Sequence, residues 1–99
     1  MKFSAKQATA LDELRLLVKA VHGPKASCGL YDQGVEINHS LGRMRFDCAD
    51  LTEMVDQYRF MAQRAVDVAE AGEVPLTETV AEVAARAERC RALLGRVKP

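Results

Sequence analysis

The sequence predicts an α+β protein of order α-β-β-β-α-α, with a three-stranded antiparallel meander covered on one face by helices and a helical hairpin at the C-terminal end. Three observations carry that reading. Residues 5–22, 51–71 and 78–95 place apolar side chains at helical spacing. Residues 27–48 instead alternate apolar and polar around two glycine-containing turns. The 99 residues of the chain suffice for one hydrophobic core and not for two, so 1–99 reads as a single domain.

Each element has its own local signal. Ser4-Ala5-Lys6-Gln7 is a capping box: the Ser4 hydroxyl can accept from the Gln7 amide while the Gln7 side chain reaches back. Phe3 precedes that cap and is placed to pack on Ala8. Leu11, Leu14, Leu17, Val18 and Val21 form the buried stripe of the first helix. His22-Gly23-Pro24 ends it, because glycine tolerates a left-handed cap and proline cannot continue a helix.

Strands are expected at 27–31, 35–39 and 43–47, joined by Asp32-Gln33-Gly34 and Ser40-Leu41-Gly42. A two-residue second loop sets Val35, Ile37 and His39 opposite Cys48, Phe46 and Met44. That register gathers the apolar residues on one face and leaves Arg43 and Arg45 on the other. The register of the first hairpin stays open.

Asp50-Leu51-Thr52-Glu53 reads as a second capping box, opening the helix 51–71. Its stripe is Leu51, Met54, Val55, Tyr58, Met61, Ala62, Ala65 and Ala69, and Gly72 ends it. Thr77 is expected to cap the helix 78–95, lined by Val80, Val83, Ala84, Ala87, Cys90, Leu94 and Val97. The connection is short, so these two helices form an antiparallel hairpin.

Composition excludes several function classes. Lys plus Arg number 14 and Asp plus Glu number 14, so the chain is neither a strongly basic nucleic-acid binder nor an acidic solvating segment. No apolar run approaches the roughly 18 residues that span a bilayer, and no membrane partner is expected. Met1-Lys2-Phe3-Ser4-Ala5-Lys6 lacks the apolar stretch of a secretory signal, which predicts a cytoplasmic protein. Cys28, Cys48 and Cys90 are odd in number and have no C-x-x-C spacing, so they read as reduced thiols.

The chemistry-bearing residues are few. Structural zinc needs four converging N or S ligands, and neither the cysteines nor His22 and His39 have paired spacing. Cys28 and Cys48 would moreover sit about two strand spacings, roughly 9.6 Å, apart. No metal or other cofactor is expected. There is no G-x-S-x-G, H-E-x-x-H, G-x-G-x-x-G or G-x-x-x-x-G-K pattern. His22 suits a helix C-terminus as a cation, and Asp50 and Glu53 have capping roles. No catalytic residue and no small-molecule substrate is assigned. A small enzyme using Cys48 or His39 is the least favoured reading, and it requires a concave pocket around one of them.

Charge is segregated along the chain. Residues 1–48 carry seven basic and five acidic groups (+2), 49–85 two and eight (−6), and 86–99 five and one (+4). An alternative reading is therefore nucleic-acid binding through Arg43, Arg45, Arg86, Arg89 and Arg96. Against it, Glu82 and Arg86 have the spacing of a helical ion pair, and no aromatic residue interleaves the basic tail. Asp50, Glu53, Asp56, Asp67, Glu70 and Glu73 form either a solvated face or an imitation of a phosphate path.

Two apolar residues have no core to enter. At about 100° per residue, Phe60 falls opposite the stripe of its helix, among Asp56, Gln63, Arg64 and Asp67. Leu16 leaves the first stripe beside Asp12, Glu13 and Ala20. Either the first helix covers Phe60, or the ring serves another chain. The favoured expectation is a non-enzymatic protein–protein interaction module, an adaptor, regulatory subunit or inhibitor that occludes a larger complex. Its partner is another protein or a second copy in a homodimer. Small proteins of mobile elements fit that description.

Overall fold

The structure, a computed structural model, describes the backbone of residues 4–97 and the side chains of residues 4–95. Phe3, Lys98 and the side chains of Arg96 and Val97 lie outside the described residues. The first helix, α1 (Ala5–His22), begins on the Ser4 box: the Gln7 amide donates to Ser4 Oγ at 3.1 Å and the Ser4 amide to Gln7 Oε1 at 3.0 Å. Gly23, at φ 115°, closes the helix by donating its N–H to the Lys19 carbonyl. Lys19 Nζ then donates to the Ala26 carbonyl at 2.7 Å, which ties the connector back onto the helix.

Three strands follow, β1 (Ser27–Tyr31), β2 (Gly34–His39) and β3 (Gly42–Asp47), in the order β1-β2-β3. Both hairpins are antiparallel with two-residue loops. Val35 faces Phe46, Ile37 faces Met44 and His39 faces Gly42. This corrects the expected pairing by two residues, because the loop is Ser40-Leu41 and Gly42 already belongs to the strand. A shift of two leaves every side chain on its expected face. Cys48 is thereby outside the sheet, in a 3-10 turn at Cys48–Asp50.

The turn runs directly into the second helix, α2 (Leu51–Glu70), and this corrects a second expectation. The Asp50 side chain makes no capping bond. Asp47 caps instead, accepting from the Ala49 amide at 2.8 Å, because the chain starts to wind three residues early. The third helix, α3 (Val80–Val97), starts two residues later than expected. Thr79, not Thr77, is its cap: Thr79 Oγ1 accepts from the Glu82 amide, and Glu82 Oε2 accepts from the Thr79 amide. Only Thr79 has an acid three residues downstream.

Leu14, Leu17, Val18, Val35, Ile37, Leu51 and Cys90 are enclosed almost completely, with Val55, Tyr58, Ala62, Val66 and Leu93 around them. Val66 and Leu93 replace Met61, Val80 and Ala84 of the expected stripes, and those three are exposed. The reason is geometric: α2 meets α1 on one flank and α3 on the other, so its buried arc is broader than a single stripe. Arg59 clamps α2 to α1 through both Glu13 oxygens, at 2.5 and 2.7 Å. Val35 and Ile37 of β2 are covered fully, whereas Met44 and Leu30 stay exposed and Phe46 half-buried. One side of the sheet is therefore buried only along its middle strand. No helix among the described residues is long and apolar enough to cross a membrane.

Gly34 marks the tightest point of the sheet. A Cβ there would lie 2.1 Å from the Phe46 carbonyl oxygen, a backbone atom that cannot swing away. Gly29 on β1 has open space around its Cβ position. Gly34→Ala is expected to lower the unfolding free energy by about 1–3 kcal/mol in urea titrations, and Gly29→Ala to leave it within about 0.5 kcal/mol.

Candidate functional site

The outer face of α2 presents Phe60 to solvent with 68% of the residue exposed. The opposite side of the same helix carries Leu51, Val55, Tyr58 and Ala62, so the helix cannot turn the ring inward. Phe60 stands as a ridge between two shallow depressions. One is bounded by Gln63, Arg64, Asp67 and Ala71, the other by Glu53, Asp56, Gln57 and Met61. Gln63 donates to Asp67 at 3.0 Å, and Asp56 lies 3.5 Å from Arg59. Arg64 has no hydrogen bond or ion pair among the described residues. The first helix does not cover the ring.

Leu16 is half exposed, at 52%, and lines a different groove, between α1 and α3, with Lys19, Pro24, Arg89 and Ala92. That groove shares no residue with the depressions beside Phe60. The two apolar side chains therefore belong to separate surfaces, because α1 turns this flank toward α3 and not toward α2.

The basic residues are distributed, and most have internal partners. Arg45 donates to Glu36 at 2.8 Å, with Arg43 at 3.6 Å, on the outward sheet face. Arg45 also lies 4.9 Å above the Tyr31 ring. The Arg45 hydrogen bond, then that from Asn38, holds the Glu36 carboxyl below the usual carboxylate range. Arg86 pairs with Glu78 through both terminal nitrogens rather than with Glu82, whose carboxylate is the α3 cap. Arg89 donates to the Ala20 carbonyl at 3.2 Å and so fastens α3 to α1. The described arginines do not align into one track.

An unexpected cluster joins the ends of three elements. The rings of His22, last in α1, and His39, last in β2, stack with centroids 4.0 Å apart and planes 12° apart. His22 Nε2 and Tyr58 Oη of α2 share a hydrogen bond of 2.7 Å. His39 Nδ1 accepts from the Leu41 amide at 3.2 Å. Burial, then the neighbouring His39, then Arg86 push the His22 pKa down; burial, then Cys28, push the Tyr58 hydroxyl up. A signal for this cluster was present in the sequence. His39 lies two residues beyond Ile37 and His22 four beyond Val18, so each extends a buried stripe by one step.

The histidines line an open cleft of about 680 Å³ with Leu41, Met61, Arg64, Val83 and Arg86. His39 thus has the concavity that an enzyme would need, but Cys48 is not among the lining residues. Burial pushes the Cys28 and Cys90 thiols up, away from the reactive thiolate form. Among the described residues no group of three or more His, Cys, Asp or Glu side chains is placed to hold a metal ion.

No protein-family model, curated protein or solved structure matches this chain.

The histidine stack carries a pH dependence whose sign is fixed. The folded His22 pKa lies below its unfolded value near 6.5, so the unfolded chain binds the extra proton more readily. Stability is full above pH 6.5 and falls as the pH drops through the folded value. Urea titrations are expected to show this loss below pH 6.5. In His22→Gln the slope in that window should flatten, while the separate loss below pH 4.5, from the depressed Glu36 and Glu78, remains.

Proposed function

We propose that the protein is a non-enzymatic binding module that docks another protein through the outer face of α2, centred on Phe60. One observation supports this above the rest: a large aromatic ring is 68% exposed on a helix whose other side is fully occupied by core. An exposed aromatic ringed by polar groups has the make-up of an interface anchor, in which a desolvated ring supplies affinity and a polar rim excludes water.

The rim describes the partner. Glu53, Asp56 and Asp67 flank the ring, so the complementary surface has an apolar pocket bordered by lysine or arginine. Arg64 supplies one opposite charge and Gln63 a hydrogen-bonding amide. Leu16, on a separate groove, has no part in this surface. Such a module acts as an adaptor, a regulatory subunit or an inhibitor that occludes the protein it binds. We infer a cytoplasmic location, where the thiols of Cys28, Cys48 and Cys90 would stay reduced.

Affinity capture from native cells with tagged wild type, Phe60→Asp and Leu16→Asp tests the reading. The expected result is a protein retained by wild type and Leu16→Asp and lost by Phe60→Asp, with unchanged circular dichroism for all three. Equal retention by Phe60→Asp, or no protein retained by wild type, counts against it.

A further inference from the structure

The two edges of the sheet are treated differently. In each hairpin a two-residue loop is closed by a hydrogen-bonded pair, Tyr31 with Gly34 and His39 with Gly42. Counting outward from these pairs, Cys28 and Leu30 turn their backbone groups to the free edge of β1. Arg43, Arg45 and Asp47 turn theirs to the free edge of β3. α1 packs beside the β1 edge, and Arg15 Nε donates to the Cys28 carbonyl at 3.2 Å, where the count places an outward acceptor. Among the described residues no side chain donates to the β3 edge in this way, and Arg43, Met44 and Arg45 are all exposed. Charged side chains on an edge ordinarily deter pairing. Here both guanidinium groups lean inward over the sheet toward Glu36 and leave the backbone edge open.

We propose that β3 pairs antiparallel with β3 of a second copy of this chain, with Arg45 on the two-fold axis, to make a continuous six-stranded sheet. The sequence Arg43-Met44-Arg45-Phe46-Asp47 is self-complementary about its centre. In this register Arg43 opposes Asp47 of the other copy, twice, and Met44 opposes Phe46, twice. The three outward residues, 43, 45 and 47, all fall at hydrogen-bonded positions, which gives four backbone hydrogen bonds besides the Asp47 carbonyls, already engaged by the 3-10 turn. Met44 and Phe46 fall at the intervening positions, where facing side chains approach most closely. The central arginines are each neutralised by their own Glu36 at 2.8 Å and stacked on their own Tyr31. Arg43 lies only loosely against Glu36, at 3.6 Å, and its terminal nitrogens are available to the opposing Asp47. One six-residue edge buries less than the roughly 1,200 Å² of a stable interface, so the dimer forms and dissociates with concentration.

Charge exchange tests the register. Sedimentation equilibrium of wild type should show a concentration-dependent species of twice the 10.9 kDa chain mass. Arg43→Asp alone sets Asp against Asp, and Asp47→Arg alone sets Arg against Arg, so each should stay monomeric. Mixed together they restore both opposite-charge pairs, and the dimer should return as a heterodimer. Circular dichroism of each variant confirms folding, and Arg43→Asp with Arg43→Lys serves where Asp47→Arg loses its cap and fails to fold: the lysine variant should associate as wild type does. Wild type that stays monomeric up to hundreds of micromolar overturns the proposal. So does a mixture of folded variants that associates no more than its components, or Arg43→Asp that dimerises like wild type. Phe60→Asp should dimerise normally, which separates this edge from the α2 face.

Discussion

Leu14, Leu17 and Val18 of α1, Val35 and Ile37 of β2 and Leu51, Val55 and Tyr58 of α2 share one buried cluster, and the rest of the molecule is arranged around it. Each such side chain, fully buried, contributes roughly 1.5–3 kcal/mol of transfer free energy. A three-stranded sheet is too small to cover itself, so the helices must meet on its middle strand. α2 enters that cluster with Leu51, Val55 and Tyr58 inward. Phe60, two residues past Tyr58, is then turned about 200° away and must face water. The exposed ring is a consequence of where the core lies.

The same constraint explains which parts of the structure were legible in the sequence. Helical periodicity and strand alternation report which side of an element is buried, and they located all six principal elements. Caps report helix starts only where one candidate dominates. Ser4 had no competitor, whereas Thr77 and Thr79 both stand within three residues of Val80, and the acid at 82 decides for Thr79. Asp50 had a good capping pattern but lost to Asp47, because the 3-10 turn ahead of α2 is a tertiary feature of the sheet-to-helix junction. The ring at Phe60 was legible because one helix alone determines its direction. The His22–His39 stack was legible only in part: each ring extends a buried stripe by one step, but the stack requires α1, β2 and α2 to converge, and no local pattern encodes that convergence.

Ion pairs show a similar division. The i, i+4 rule joined Glu82 to Arg86, but Glu82 is the N3 residue of α3 and its carboxylate serves the Thr79 amide. Arg86 turns instead to Glu78 in the preceding loop, beside the histidine cleft. A phosphate track gains its affinity from guanidinium groups that release counterions on binding. Arg43, Arg45 and Arg86 already lie against carboxylates of their own chain, and Arg89 is spent on a helix carbonyl. Binding a phosphate through them would first break contacts that hold the sheet face or the α1–α3 junction. Arg43, Arg45, Arg86 and Arg91 of the basic stretches thus lie beside carboxylates of their own chain.

The β3 edge and the α2 face differ in kind for a physical reason. At Phe60 the backbone is satisfied within the helix, so any partner must be recognised by side chains, and the polar rim sets which partner fits. At β3 the backbone itself offers donors and acceptors to any extended segment, so side chains act mainly by setting register and excluding mismatches. A palindromic charge pattern is poorly suited to a general peptide ligand, which would have to present an acid, an apolar pair and a base at fixed spacing. A second copy presents that pattern by symmetry. Such a dimer extends the sheet away from β1 at the far side of β2, and it involves no residue that flanks Phe60. Two copies of the α2 face would then be carried on one assembly, and linking two docking surfaces raises the apparent affinity for any partner that displays its own site twice.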